Sequence, residues 1–200
     1  MMKISSVKIN KKTVLQFLGY KNRKVPSYID KVIDEEIEKI NDILDIKVYI
    51  NEVDCLNYKF QGDYIKNSLE ASEKSYAILY TIGKNIDEYI LYHTNNNDMI
   101  RGMVLDKIGI VALDYVGEKI KNYLEEKNNP CKISFEIYPG DKGFDIENQN
   151  FIYDYVKNND ISINEYGQMS PIKSVALVLC LSLNNEQITS RCENCLNKCF

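Results

Sequence analysis

The sequence contains no tryptophan, one histidine and four prolines. Apolar runs such as Val175 to Leu179 fall far short of the ~18 residues a membrane helix needs. Met1 to Tyr20 contains lysines but no signal-peptide core, so the expectation is a cytoplasmic protein with no membrane partner. A lone histidine, His93, leaves little room for Ser-His-Asp or Cys-His chemistry and argues against most hydrolase schemes. Nothing matches GxxxxGK or GxGxxG, so no glycine-rich phosphate loop is present. The net charge is -4, which gives no general case for binding nucleic acid.

What is present is ordinary globular material: 200 residues, 44% hydrophobic and 27% charged, without an internal repeat, enough for one domain with a small appendage. Six cysteines in an expected cytoplasmic setting point to thiols, metal or redox chemistry rather than disulfides.

The chain is organised around Tyr76 to Leu124. An apolar, β-prone run ends in Thr81-Ile82-Gly83 and suits a buried strand. Lys84 to Thr94 has helical spacing. After Asn95-Asn96-Asn97, Asp98 is placed to cap a long helix. In that helix, Ile100, Val104, Ile108, Val111 and Tyr115 form one stripe, and Leu105, Ala112, Val116, Ile120 and Tyr123 a second. Two adjacent stripes make a wide buried face, so the helix is central. Gly102, Gly109 and Gly117 interrupt it, and the expectation is close packing on a sheet. Asp114 reads as solvated or structural; Asp106 is left open between a solvated role and a specific acceptor.

Before this block, Asn10 caps a short helix that Gly19 ends. Pro26 opens another, with Ile29, Val32, Ile33, Ile37 and Ile40 inward and Asp34, Glu35, Glu36 and Glu38 outward. The basic residues of the first 24 positions, Lys3 to Lys24, read as a solvated face or as a docking patch for an acidic partner. Ile46 to Val53 alternates as a strand. Tyr58 to Ile65 around Gln61-Gly62-Asp63 predicts a hairpin, and Asn67 to Ser75 a short helix. Beyond the central helix, Lys132 to Tyr138 alternates, with Ile133, Phe135 and Ile137 on one side, and ends at Pro139-Gly140. Glu147 to Lys157 is helical, and Lys173 to Leu183 reads as a central strand in which Cys180 is a small core residue. The fold class is α+β: a mostly antiparallel sheet, a long central helix and flanking helices over 1–188, followed by a cysteine-rich tail over 189–200.

In that tail, Cys192, Cys195 and Cys199 are separated by two and by three intervening residues on a polar segment. Such thiolates can converge on one metal, as an iron–sulfur cluster or zinc site completed by Cys55, Cys131, His93 or a second chain. Free thiols or a disulfide are the alternatives.

Several segments, in order along nearly the whole chain, resemble the activation (reactivation) domain of cobalamin-dependent methionine synthase, in a stand-alone, clostridial-type form with a cysteine-rich tail. They are Val14 to Tyr20, Thr81-Ile82-Gly83, Met103 to Gly109, Tyr138-Pro139-Gly140, and Asn164-Glu165 through Met169-Ser170-Pro171 to Val175. The resemblance implies a curved, mostly antiparallel α+β domain. It implies binding of S-adenosylmethionine, whose methyl group is presented to an oxidised cobalamin held by a partner methionine synthase or corrinoid protein, with an electron from a flavodoxin-like or ferredoxin-like donor. The domain's contribution is then positioning, and the hard chemistry is the cofactors'. Site residues carried over by the resemblance are Asp106, Glu136, Pro139, Gly140 and Glu165.

The sequence departs from the family at telling positions. Glu136 stands where the family has an arginine that contacts the ligand carboxylate, and Asp141 where a tyrosine follows Pro-Gly. An aromatic pair is replaced by Leu179 and Cys180. Restoring the cation by Glu136→Arg is expected to strengthen S-adenosylmethionine binding. Two readings follow: a reactivation subunit that uses S-adenosylmethionine, or an accessory protein that keeps the fold without that ligand and carries a metal in its tail for electron delivery or docking.

Overall fold

The structure, a computed structural model, describes residues 2–54 and 59–183. Cys55 and the tail thiols Cys192, Cys195 and Cys199, with the tail over 189–200, lie outside the described residues.

Helix α1 (Lys11–Phe17) starts where the Asn10 side chain accepts from Lys12 N at 2.9 Å and Thr13 N at 3.4 Å, satisfying two first-turn amides. Helix α2 (Ser27–Ile43) follows Pro26, which takes the N-cap position itself. Then come β1 (Lys47–Glu52), α3 (Asp63–Glu70), β2 (Lys74–Thr81), α4 (Asn85–Asn95) and α5 (Met99–Lys127). The chain continues through β3 (Lys132–Ile137), α6 (Asn148–Val156), a small hairpin of β4 (Ser162–Ile163) and β5 (Met169–Ser170), and β6 (Ser174–Ser182).

The main sheet has the order β1-β2-β6-β3, and every pairing in it is antiparallel. Its period of two sorts side chains into two layers. Tyr76, Ile78 and Tyr80 of β2, with Leu177, Leu179 and Leu181 of β6, pack under α1, α2 and α5. Ala77, Leu79, Ala176, Val178 and Cys180 face the opposite layer, where Ile65 and Leu69 of α3 and Ile152 and Val156 of α6 cover them. Both central strands are covered on both faces, which is why they read as nearly continuous apolar runs. The α+β class with an antiparallel sheet and a long central helix is thus the observed architecture, and Cys180 is the core residue expected.

Asp98 caps α5 by accepting from Arg101 N at 3.2 Å. A Cβ on Gly109 would stand 3.1 Å from Lys173 Cε, so this glycine does let the sheet side come close. Gly102 admits α4 instead: Thr94 Oγ1 would be 2.7 Å from its Cβ.

Three expectations are corrected. The segment expected as a hairpin around Gln61-Gly62-Asp63 contains the start of a helix: Gly62 takes φ +120 just before Asp63, and Tyr64 and Ile65 enter α3. Ile65 and Leu69, four apart, supply its buried side, and tertiary burial overrides the turn-like composition. In β3, Ile133 does not share a side with Phe135 and Ile137. The register with β6 shifts between Ile133 and Phe135, so Ile133 packs into the helical layer and the other two into the opposite one. Finally, Glu36 is not on the wet face of α2 but fully buried. Arg101 of α5 reaches it, together with Glu35 at 2.9 Å and Asp98 at 3.0 Å. Burial acts to lower the Arg101 pKa, but its three carboxylate partners outweigh that and hold the guanidinium above its ordinary value.

Candidate functional site

Three of the segments that carry the family resemblance, with Lys173 near the end of a fourth, lie at two places along α5. At the first, Thr81-Ile82-Gly83 closes the end of β2. Thr81 Oγ1 donates to Lys173 O at 2.9 Å and accepts from Gly83 N at 3.1 Å, while Ile82 N donates to the same carbonyl at 3.1 Å. The Lys173 stem crosses α5 at Gly109, and its ammonium meets Asp106 at 2.5 Å. Lys107 approaches the same carboxylate at 2.9 Å. Asp87 of α4 accepts from Ile172 N at 2.8 Å beside them. Asp106 thus accepts from two lysines while its side chain stays 35% exposed. Burial acts to raise its pKa, yet the hydrogen bonds from Lys173 and Lys107 win and hold it below the ordinary value of 3.8.

That direction fixes a pH dependence. A carboxyl with a depressed folded pKa contributes stability that is complete above its unfolded value and is lost as pH falls through the folded one. Asp106→Asn is therefore expected to lower stability at neutral pH and to flatten the loss of stability below about pH 4, read by urea unfolding at stepped pH. A variant as acid-sensitive as the parent would refute the linkage.

At the second place, β3 turns Glu136 toward α5. Lys121 meets it at 3.0 Å and Glu118 at 2.7 Å, and the Tyr138 hydroxyl donates to the other Glu136 oxygen. Only 12% of the Glu136 side chain is exposed. Burial acts to lower the Lys121 pKa, but the hydrogen bond to Glu118 and the charge of Glu136 more than offset it, so the ammonium is held above 10.5. The chain then turns at Tyr138-Pro139-Gly140-Asp141. Asp141 N donates to Tyr138 O at 2.9 Å, and Gly140 takes φ +94, as the third position of a type II turn requires. Asp141 has a local task here, since its carboxylate accepts from Tyr138 N at 2.9 Å. Phe144, fully buried, anchors the loop through Gly140 N donating to Phe144 O at 2.8 Å.

The two places are distinct. Asp106 and Lys121 are fifteen positions apart on one helix, or about 22 Å along its axis. Glu165 belongs to neither: it is exposed at the tip of the β4–β5 hairpin, beside Asn164, whose side chain accepts from Tyr166 N at 3.0 Å and Gln168 N at 2.9 Å. Leu179, opposite Glu136 in register, is buried under the helices. Asp114 is exposed. In the basic N-terminal stretch, Lys11 pairs with Asp30 at 2.8 Å and Asp34 at 2.7 Å, so part of that charge is neutralised within the fold. Among the described residues no group of His, Cys, Asp and Glu is arranged to hold a metal; Cys131 is a buried free thiol and His93 stands 3.8 Å from Asp98. No described helix is long and apolar enough to cross a membrane.

Reading the sequence did not single out Lys121 or Lys173 as site residues, although Lys173 fell within a resembling segment. Lys173 carried a faint signal, a lysine at the mouth of an apolar strand. Lys121 carried none, because its partner Glu136 lies on another element.

No protein-family model and no curated protein matches the chain. Among solved structures, the crystal structure of the MetH reactivation domain bound to AdoHcy matches with a TM-score of 0.61 and 10% sequence identity, over 88% of this chain and 75% of that one. At that identity the likeness is one of fold: this chain is similar in architecture to a MetH reactivation domain.

Proposed function

We propose that this chain is a subunit supporting reductive reactivation of cobalamin held by a partner methionine synthase or related corrinoid protein, with S-adenosylmethionine as the methyl source. The observation that carries the reading is the fold shared over 88% of the chain with a domain whose crystal structure contains AdoHcy.

The α5–β3 seam offers charges of the right kind. The methionine end of the ligand has an ammonium and a carboxylate side by side. Lys121 and Glu136 hold the complementary pair 3.0 Å apart at the seam. In this reading Lys121 takes the carboxylate that an arginine takes in the family, Glu136 takes the ammonium, and the Pro139-Gly140 turn lines the approach. Asp106 ties β6 to α5, and Glu165 is left at the exposed hairpin. When bound, S-adenosylmethionine supplies the methyl group; an electron comes from a flavodoxin-like or ferredoxin-like donor. What the chain's own residues contribute is orientation. Residues 1–188 form the domain and 189–200 the appended tail.

A second reading is favoured by one feature. Lys121 and Glu136 satisfy each other and are largely closed off from solvent. If that pair does not open, the chain is an accessory protein that keeps the fold without the ligand, docking or delivering electrons through a tail metal.

Calorimetric titration with S-adenosylhomocysteine and S-adenosylmethionine separates the two. Saturable micromolar binding, weakened about tenfold by Lys121→Gln, is the expected result. Silence at millimolar ligand would leave the accessory reading. The tail has its own test. Protein purified without oxygen is expected to contain iron or zinc by elemental analysis, and Cys192, Cys195 and Cys199 changed together to Ser are expected to remove it. Metal retained by the triple variant would sink the tail site.

A further inference from the structure

Strand β1 forms one edge of the sheet. Val53 N donates to Ser75 O at 2.7 Å and Asp45 N to Ile82 O at 3.0 Å. In an antiparallel ladder a residue's N–H and C=O point the same way, and the direction alternates along the strand. The odd-numbered residues of β1 therefore bond to β2, and Val48, Ile50 and Glu52 turn their amides and carbonyls outward. Among the described residues those three amides have no hydrogen-bond partner. The next in the outward series, Asp54 N, is taken by the Tyr155 hydroxyl at 2.8 Å.

A cavity of about 610 Å³ lies against this edge. Tyr123 and Lys127 of α5 stand on one side, and Lys157, Asn158 and Asp160 after α6 on the other. The edge is thus recessed between two walls. Another sheet edge recessed in the same way cannot reach it, because the walls meet first; a single extended strand, which needs about 4.8 Å beside β1, can. The cavity is also charged unevenly. Lys127 lies over the Tyr76 ring, 5.6 Å from its centroid, and Tyr76 faces Glu52 in register. Lys157 follows by two the residue Tyr155 whose carbonyl accepts from Asn51 at 2.8 Å. Two exposed ammonium groups thus flank the Glu52 end, and neither has an ion-pair partner among the described residues. At the other end Asp160 is engaged by the Tyr49 hydroxyl.

We propose that the recessed β1 edge is a strand-addition site for an extended, acidic segment of a partner protein. Backbone pairing with Val48, Ile50 and Glu52 supplies the affinity, and carboxylates set against Lys127 and Lys157 supply the polarity. This site is on the opposite sheet edge from Glu136 and stands independently of the ligand reading.

The probe is a fluorescein-labelled hexapeptide, Thr-Val-Glu-Val-Thr-Glu. Its controls are the same peptide with Lys for Glu and a copy N-methylated at alternate residues. Fluorescence anisotropy is expected to saturate for the acidic peptide, at least about tenfold tighter than for the basic one. The amides of Val48, Ile50 and Glu52 should exchange with deuterium more slowly in the complex, while those of Tyr49 and Asn51 stay unchanged. N-methylation should abolish binding, and Lys127→Glu with Lys157→Glu should reverse the charge preference. Both lysines are exposed, so that variant keeps the fold. No binding, binding indifferent to N-methylation, or protection that misses the three outward amides would overturn the site. A concentration-dependent dimer protected at the same amides would overturn the choice of partner.

Discussion

Arg101→Leu is expected to be the most damaging single substitution among the surface-reaching side chains, costing about 3–5 kcal/mol in urea unfolding. The reason lies with its partner. Glu36 is fully buried, Arg101 engages one of its oxygens, and the other has no hydrogen-bond partner. Removing the guanidinium leaves a carboxylate inside the protein with nothing to offset its desolvation. The same reasoning predicts a rescue. Glu36→Leu combined with Arg101→Leu removes both charges and is expected to recover most of the loss, since an apolar pair can replace a buried ion pair at little cost. Glu35, a third exposed, contributes little to the cluster because solvent screens it, so Glu35→Ala serves as the mild control. A single Arg101→Leu within about 1 kcal/mol of the parent would show that the fold does not depend on this contact.

The second large effect concerns Glu136, where the contact with Lys121 leads to the opposite expectation from the one the resemblance implies. An arginine at this position was expected to strengthen ligand binding. With Lys121 3.0 Å from the carboxylate it replaces, Glu136→Arg sets two cations against each other in a mostly buried seam. It is expected to cost about 2–3 kcal/mol, discounted from the fully buried case because Lys121 is 23% exposed. S-adenosylhomocysteine affinity should fall with it, by tenfold or more. Adding Lys121→Glu restores opposite charges in the reverse order, so the double variant should regain stability and recover binding. A double-mutant cycle in urea, with calorimetry on each corner, measures both. Tighter binding by Glu136→Arg alone would mean that Lys121 swings away and that the arginine reaches a family-type pocket after all.

The parts of the fold that could be read in advance were those with a local period. Two apolar stripes gave α5 its length and centrality, Asn10 and Asp98 gave the caps, and unbroken apolar runs gave β2 and β6. What escaped depended on another element. Gln61-Gly62-Asp63 has turn composition, but whether a strand or a helix follows is decided by where Ile65 and Leu69 find cover. The bulge in β3 leaves no mark on Lys132 to Ile137, because alternation is a property of one strand and register belongs to two. Glu36 looks like its neighbours Glu35 and Glu38, and only Arg101, 65 positions away, makes its burial tolerable. The candidate site divides in the same way. Tyr138-Pro139-Gly140 announces its turn through composition, and the resemblance names Glu136. The lysines that define what those acids do come from distant parts of the chain.

Helix α5 carries the Arg101 cluster near its start and Lys121 toward its end, about 30 Å apart on a rod of fixed rise. It is tied down at Arg101 to α2, at Asp106 to the mouth of β6, and at Lys121 to β3. Fastened at three points, it behaves as a calliper rather than a hinge: it cannot tilt about any one fastening without straining the other two. A ligand the size of S-adenosylmethionine does not span the gap between its ends. Whatever engages the seam at Lys121 and whatever touches the α4–α5 connection before Arg101 are therefore separate bodies or one large one, and the helix sets the distance between them before either arrives.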